Sequence, residues 1–527
     1  MATLQEILIE ETEAYIQTLN LGDDDYIRIQ SELISRTTVR ICQENQVIGK
    51  GGSKLSVPKT LAFWQISEIL NKVMIIRILV DGENEVDDDM NLLGIYNGEI
   101  YDTNEDIIKK ASICLNKDLK TKDLDEVIAR LHLICERVQI NKNPNLIAVN
   151  NGIFDYKKKK LLPFSEEYVF LSKSCVDWNP NAYLKTFPDG WNVNDWLHDI
   201  SVDDEVYQLL WEVIGAALRP YVPWHKSIWL YSTTGNNGKG TFCQLVRNML
   251  GHKAHTSIAL SDFSKDFALD IIVGKQAVIT DENDVGSYID KAAQLKAIIT
   301  GDEFTITRKF KTSINYRFRG IVIECLNEYP KIKDKSDSFY RRQIFVPFEK
   351  CFTGKENKDI KNVYLKDKDV LEYILHEVLM SNYYELSKPQ ICEDALKDYK
   401  ENNDPLRQFW NAFETELQWD LVPYTFLYDL YKAWYERNFP KAQMVSNAQF
   451  INALNVIIKR ESIIWEINDD YKKKMRPGNK MSKTEPLIIE YQLKNWYSKT
   501  YQGRIPERMA TLLPSDLSQN YTGILRK

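Results

Sequence analysis

The sequence predicts an α/β protein, and three observations carry that expectation. A compact apolar run at 227–232, SIWLYS, leads directly into a glycine-bearing loop and then a helical pattern. A second apolar run at 277–280 ends in Asp281-Glu282, and a third at 321–326 ends in Asn327. Short buried strands that return to helices between them make a parallel sheet.

The chain has 527 residues, room for about three domains at roughly 150 residues each. The expected division is 1–180, an α+β N-terminal domain; 181–395, the domain of the glycine loop; and 396–527, a DNA-binding domain. A hydrophobic share of 44% and a charged share of 27% are those of a soluble globular protein. No apolar run reaches the ~18 residues of a membrane span, and the acidic start MATLQEILIEETEAY lacks a signal pattern. Eight cysteines are scattered singly without a CxxC, so the sequence suggests neither a zinc site nor a disulfide framework. A reduced cytoplasmic compartment is expected. The net charge of −7 excludes a protein coated in cations, but not a local basic groove.

In order along the chain, residues 1–80 repeat apolar positions at helical spacing. The acidic stretch DGENEVDDDM is expected as a solvated loop. LLGIYNGEIYDT reads as a β-hairpin around Asn97-Gly98, and LIAVNNGIFDYKKKKLLPF as a second Asn-Gly hairpin whose lysines 157–160 form a solvated end. WNPNAYLKTFPDGWNV, 177–192, reads as a linker. Helical spacing returns over 196–218. After the glycine loop, Phe242, Leu245, Val246, Met249 and Leu250 mark one helix face, stopped by Gly251.

The loop itself, YSTTGNNGKGTF at 231–242, departs twice from GxxxxGK[ST]. Thr233 stands where the first glycine belongs, and Gly240 follows the lysine, delaying Thr241 by one place. Strand, glycine loop and helix in this order aim backbone N–H groups at an anion. Gly235, Asn236, Asn237, Gly238, Lys239, Gly240 and Thr241 would cradle the phosphates, with Lys239 reaching the β- and γ-phosphates. Thr241, or Thr234, would offer Mg²⁺ a hydroxyl. Taken alone, the loop fits a plain strand–helix turn equally well. The acidic pair about 40 residues on decides for a P-loop ATPase: Asp281 for the metal, Glu282 to orient and deprotonate water.

Beyond it, 304–307 and 313–318 read as a hairpin with a basic tip. Arg308, Lys309, Phe310 and Lys311 there suit a phosphodiester backbone, although a solvated hairpin end is the plainer reading. Asn327 would position the attacking water. Arg341 and Arg342, just before the strand IFVPF, would stabilise charge on a γ-phosphate, often a neighbour's.

The C-terminal part predicts a winged helix-turn-helix: a helix through Tyr424, Leu427, Tyr431 and Trp434, the turn NFPKAQMV, and a second helix from Ser446 through Ile458. The strands IIWEI and LIIEYQL would then flank a basic wing. Lys472, Lys473, Lys474, Arg476, Lys480 and Lys483 would contact phosphates, and Asn447, Gln449, Asn452 and Asn455 base edges. A winged helix used for protein contact is the alternative.

The order GNNGKGT, DE, TGDEFTITRKFK, LNEYP and YRRQIFVPF resembles the superfamily-3 helicases, in the branch of phages, plasmids and poxviruses that forms the C-terminal half of primase-helicases. The resemblance covers residues 190–350 most strongly and reaches back to about residue 90. It implies an AAA+ core, a hexameric ring moving 3′ to 5′ on single-stranded DNA, and ATP and Mg²⁺ as cofactors. By the same resemblance Lys239 and Thr241 belong to the nucleotide loop, and Asp281 and Glu282 are the metal and base pair. Asn327 is the sensor, Arg341 the finger with Arg342 as fallback, and Lys309 and Phe310 the DNA-touching tip. Residues 1–180 carry neither HxH nor a paired-aspartate strand motif, so primer synthesis is not expected. The expected function is a replication initiator helicase of a phage, phage satellite or other mobile element. It would melt duplex origin DNA in a bacterial host, alongside host replication proteins and away from membranes. An ATP-binding assembly switch without productive unwinding is the rival.

Overall fold

The structure is a computed structural model that describes residues 2–48, 53–82, 89–265, 267–283, 288–289, 292–309, 311–332, 334–438, 444–467, 472–517 and 519–527. The chain forms two units, Met1–Ala395 and Leu396–Lys527, each around its own core. Among the described residues, no helix is long and apolar enough to cross a membrane.

The first unit opens with α1 (Leu4–Ile16), α2 (Tyr26–Ile48) and α3 (Phe63–Val73). A capping box starts α1: the Thr3 hydroxyl accepts from the Glu6 N–H, and the Glu6 carboxylate accepts from the Thr3 N–H. The helical expectation for 1–80 fails at IRILV, which is β1 (Ile76–Val80). β2 (Asp89–Tyr96), β3 (Tyr101–Asp102), α4 (Asp106–Leu115), α5 (Thr121–Ile134) and β4 (Glu136–Gln139) follow, and the sheet order is β3-β2-β1-β4. Ile29, Leu33, Ile66, Leu70, Ile76, Ile78, Leu93, Ile108 and Leu131 form the core between these helices and the sheet. The hairpin at Asn97-Gly98 forms as expected, with Tyr96 paired to Tyr101 and Gly98 at φ +94. Residues 83–88, most of the expected acidic loop, lie outside the described residues.

The second expected hairpin is a three-stranded meander, β5 (Leu146–Val149), β6 (Gly152–Asp155) and β7 (Lys160–Leu162). Its first turn is Asn150-Asn151, because Gly152 already pairs with Val149. Its lysine end is not wholly solvated. Lys159 lies 3.5 Å from the Tyr156 ring centroid and donates to the Leu379 and Ser381 carbonyls at 2.7 and 2.6 Å. Burial, with Arg219 nearby, pulls its ammonium down to about 8. Ile147, Phe154 and Tyr156 share one core with the residues that follow, so packing does not break at residue 180. Nor is 177–192 a free linker. It lacks regular structure, yet Trp178 is buried against Phe154, Phe187 stacks on Tyr364 at 4.0 Å, and Lys185 pairs with Asp367 and Asp369.

The expected helix at 196–218 is two, α6 (Val193–Ile200) and α7 (Asp204–Leu218), each capped by a side chain, Asn192 and Asp203. Then come β8 (Ser227–Tyr231), α8 (Lys239–Leu250), β9 (His255–Thr256), β10 (Ala277–Thr280), β11 (Tyr288–Ile289), α9 (Ala292–Thr300), β12 (Phe304–Ile306) and β13 (Ile314–Tyr316). They are followed by β14 (Ile321–Leu326), β15 (Lys331–Ile332), α10 (Asp337–Tyr340), β16 (Gln343–Pro347), α11 (Lys358–Asn362), α12 (Lys368–Met380) and α13 (Gln390–Asn403). Five of these strands form a wholly parallel sheet in the order β16-β8-β14-β10-β9. β10, β14 and β16 are buried at every residue, which is why they read as unbroken apolar runs.

The second unit holds α14 (Pro405–Phe413), β17 (Leu421–Pro423), α15 (Tyr424–Asn438), α16 (Asn447–Glu461), β18 (Trp465–Ile467), α17 (Leu487–Glu490), α18 (Pro506–Met509) and β19 (Gly523–Arg526). Its antiparallel sheet runs β17-β19-β18. The expected strand LIIEYQL is instead the short helix α17, and GILR supplies the remaining strand. Residues 439–443 of the expected turn and 468–471 of the expected wing lie outside the described residues.

Candidate nucleotide and DNA site

Parallel pairing fixes where the strands end. Tyr231 is level with Leu326 and Pro347, and Thr280 with Glu324. The loop 232–238, Asp281-Glu282 and Asn327 therefore leave the sheet at its carboxyl edge, where open α/β sheets bind ligands. Asp281, Glu282 and Asn327 are exposed there.

Within the loop, Asn236 takes φ 55 and Gly238 φ 91, so left-handed backbone is needed at two positions. Gly235 and Gly240 adopt no such conformation, and a Cβ on either would meet nothing within 4 Å. Their role is open space beside the loop. α8 begins at Lys239, so its first N–H groups face the loop. Lys239 is only 6% exposed, and its Nζ donates to Asn237 Oδ1 at 3.1 Å. Asn237 in turn donates to the Thr234 carbonyl. Burial lowers the Lys239 pKa. Among the described residues this buried ammonium is held by a neutral amide and meets no carboxylate, and with the first N–H groups of α8 and open glycine faces around it the site fits a polyphosphate. Thr241 is half-buried on the first turn of α8.

Asp281 is engaged by a residue that sequence reasoning missed. Arg247 Nη1 donates to both of its carboxylate oxygens, at 2.9 and 2.8 Å, and Nη2 to the Ile279 carbonyl at 3.0 Å. Lys239, Cys243 and Arg247 follow at four-residue steps on one face of α8, a spacing legible in advance. Next to Asp281-Glu282, the Asn283 amide donates to Glu324 at 2.9 Å and to the Cys325 carbonyl at 3.2 Å, and its Oδ1 accepts from the Leu260 N–H at 2.9 Å. Glu324 is fully buried, and desolvation pushes its carboxyl well up. Asp284 lies outside the described residues.

The two arginines stand at the other edge. The Arg342 carbonyl accepts from the N–H of Ser227, the first residue of β8, and the Arg341 carbonyl from Lys226 Nζ. Four strand steps of about 3.3 Å put the length of β8, about 13 Å, between them and the loop. Arg341 is exposed, whereas Arg342 is half-buried and donates to the Ser338 carbonyl.

The hairpin of β12 and β13 forms with Ile306 opposite Ile314. Phe310 lies outside the described residues, and Lys309 is exposed. Arg308 Nε pairs with Asp270 at 3.0 Å, and Lys311 Nζ with Glu105 at 2.7 Å. Behind the tip, Arg319 forms an ion pair with buried Asp81, and Arg317 donates to the Asp81 carbonyl.

In the second unit, Lys472, Lys473, Lys474, Arg476, Lys480 and Lys483 are all exposed, and Lys483 pairs with Asp420 at 3.1 Å. Asn447 and Asn452 are exposed on α16. Gln449 caps its own helix by accepting from Ser446. Asn455 is buried and accepts from the Tyr424 hydroxyl at 2.6 Å, so it is a core residue and not a base reader.

Three family models match this chain. "D5 N terminal like" covers residues 37–202, further back than the sequence resemblance reached. A family of unknown function, DUF5906, covers 230–342, the span from the glycine loop to Arg342. "Poxvirus D5 protein-like" covers 401–493. No curated protein matches. Similar solved structures include three apo forms of the NrS-1 C-terminal region. One, an A form, is 13% identical over 75% of this chain and 85% of that chain, with a TM-score of 0.38. The second is 12% identical over 72% and 93%, with a TM-score of 0.41. The third, also an A form, is 14% identical over 80% and 88%, with a TM-score of 0.41. D5-type segments thus lie before and after the loop-bearing sheet in the sequence, and these matches support a phage or viral primase-helicase-like protein.

Proposed function

We propose that this protein is an ATP- and Mg²⁺-dependent DNA helicase that initiates replication of a mobile element. The observation that carries the proposal is Lys239, a buried cation that meets no carboxylate among the described residues, beside an open glycine loop at the carboxyl edge of a parallel sheet. Bound nucleotide and Mg²⁺ would supply the phosphoanhydride and neutralise its charge. Lys239 and the first N–H groups of α8 would hold the phosphates, and Thr241 and Asp281 would hold the metal. Glu282, at the tip of β10, takes the proton of the attacking water, and Asn327 orients that water. The core is then of AAA+ type.

Arg341 lies a strand's length from its own loop, which supports action on a neighbour's nucleotide and hence a ring, a hexamer by the superfamily-3 resemblance. Arg308, Lys309 and Lys311 take the single strand, with Phe310 as the ring beside it. In the second unit, the order helix, strand, two helices, strand, two short helices, strand, with the strands paired β17-β19-β18, supports a winged-helix variant. Its exposed cations between β18 and β19, with Asn447 and Asn452, suit origin duplex.

Lys239→Ala and Glu282→Gln each should abolish ATP hydrolysis and strand separation on forked DNA, while duplex binding by the second unit persists. Unwinding retained in both variants refutes the helicase. The rival assembly switch has one point in its favour, the Arg247 clamp on Asp281. Turnover that stays negligible with and without single-stranded DNA would decide for the switch.

A further inference from the structure

The fold brings together two cysteines that stand 82 residues apart in the sequence. Cys243, on α8, and Cys325, on β14, lie with their Sγ atoms 3.4 Å apart, and both side chains are buried. Asp281, at the tip of β10, completes the group: its carboxylate and the two sulfurs all lie within 4.8 Å of one another. None of the three is near another along the chain, so only the fold reveals the group.

We propose that Cys243, Cys325 and Asp281 form a binding site for a thiophilic divalent cation of the Zn²⁺ class, separate in chemistry from the Mg²⁺ role of Asp281. Two thiolates and one carboxylate suit Zn²⁺ or Cd²⁺ and are a poor set for Mg²⁺, which requires oxygen ligands. Zn–S bonds of about 2.3 Å in a tetrahedron hold sulfurs about 3.8 Å apart, close to the spacing present here. The three ligands among the described residues leave a fourth position for water, on the side where Asp281 is exposed, and that side is the entry path. Each thiol releases its proton to solvent as its metal–sulfur bond forms.

Arg247 is the independent support. Two thiolates, a carboxylate and a dication sum to one negative charge, and the guanidinium already bonded to both Asp281 oxygens would balance it. Outer-shell donors of this kind orient metal ligands. The site joins α8, β10 and β14, the elements that carry Lys239, Glu282 and Asn327. If Asp281 is also the Mg²⁺ ligand, one carboxylate serves two cations. A thiophilic metal then blocks hydrolysis, a consequence that rests on the proposed ATPase, whereas the site itself does not.

The test uses the full chain without nucleotide, reduced by a phosphine that does not bind metal, with Co²⁺ as probe. A thiolate-to-cobalt charge-transfer band should grow in and saturate at a single equivalent. Cys243→Ser and Cys325→Ser should each abolish it, and Cys175→Ser and Cys351→Ser, which change exposed thiols, should leave it intact. Should the buried serines prevent folding, X-ray absorption of the Co²⁺-loaded unmodified protein decides, with two sulfur neighbours expected. A band that survives both buried changes, or cobalt surrounded by oxygen and nitrogen alone, overturns the site. Neither readout depends on ATP turnover, so failure of the helicase reading leaves this test standing.

Discussion

Two carboxylates pair with Arg308 and Lys311 at the hairpin tip, and removing them should strengthen binding to single-stranded DNA. Glu105 pairs with Lys311 and Asp270 with Arg308, and one partner of each pair is mostly covered, Glu105 at 13% and Arg308 at 13% exposure. Partly exposed pairs contribute about 0.2–1 kcal/mol each. DNA must displace both, so Glu105→Gln with Asp270→Asn should lower the binding free energy by about 0.4–2 kcal/mol, a gain of roughly 2- to 30-fold in affinity. The salt dependence separates this from a general charge effect. The same cations meet the same phosphates in both proteins, so the slope of log affinity against log salt should not change. Arg308→Gln with Lys311→Gln should instead flatten it by about 1.4, since each single-strand phosphate contact contributes about 0.7. Fluorescence anisotropy with a labelled oligonucleotide across a salt series measures all of this. Weaker or unchanged binding when the carboxylates are neutralised, or an unchanged slope when the cations are removed, refutes the reasoning.

Two further expectations concern stability. Burial pushes the Glu485 carboxyl from 4.5 up to about 7, although its Oε2 accepts from the Gln418 N–H at 2.8 Å. The folded unit then binds the extra proton between pH 4.5 and 7, so stability falls as pH rises through that window and is flat above it. The loss totals about 3 kcal/mol, and Glu485→Gln should remove the slope in urea unfolding monitored from pH 4.5 to 8; an unchanged slope counts against it. Gly215→Ala should lower the thermal midpoint of the first unit, because the new Cβ would stand 1.7 Å from the Tyr383 hydroxyl and 2.9 Å from Val378. Overpacking of this kind costs about 1–3 kcal/mol, and an unshifted midpoint in calorimetry would show that Tyr383 yields freely.

The parallel sheet was legible because β10, β14 and β16 are buried at every residue, and because SIWLYS runs straight into the glycine loop while Phe242 to Leu250 repeat at helical spacing. β1 was not. IIRILV continues the apolar pattern of α3 without a break, and a short apolar run does not tell helix from strand. LIIEYQL misled in the opposite direction. Its β-branched residues favour a strand, but Pro486 caps one helical turn, and Leu487 and Ile488 are buried there. At the site, residue types and order were readable, but partners were not. Arg247 on Asp281, Glu105 on Lys311 and Tyr424 on Asn455 are all contacts between elements distant in the chain, fixed by packing alone.

Asp81 has a mechanical consequence. It is buried between Arg319 and the backbone anchor of Arg317, with Lys142 3.9 Å away, just past the end of β1. β13 leans on β2 beside it. The hairpin loop proposed to take DNA is therefore bolted at its root to the amino-terminal sheet, and on the helicase reading any stroke would either shear that bolt or swing the sheet with it. On that reading the part that moves would be a whole layer of the protein, held in place by residues that never meet the strand.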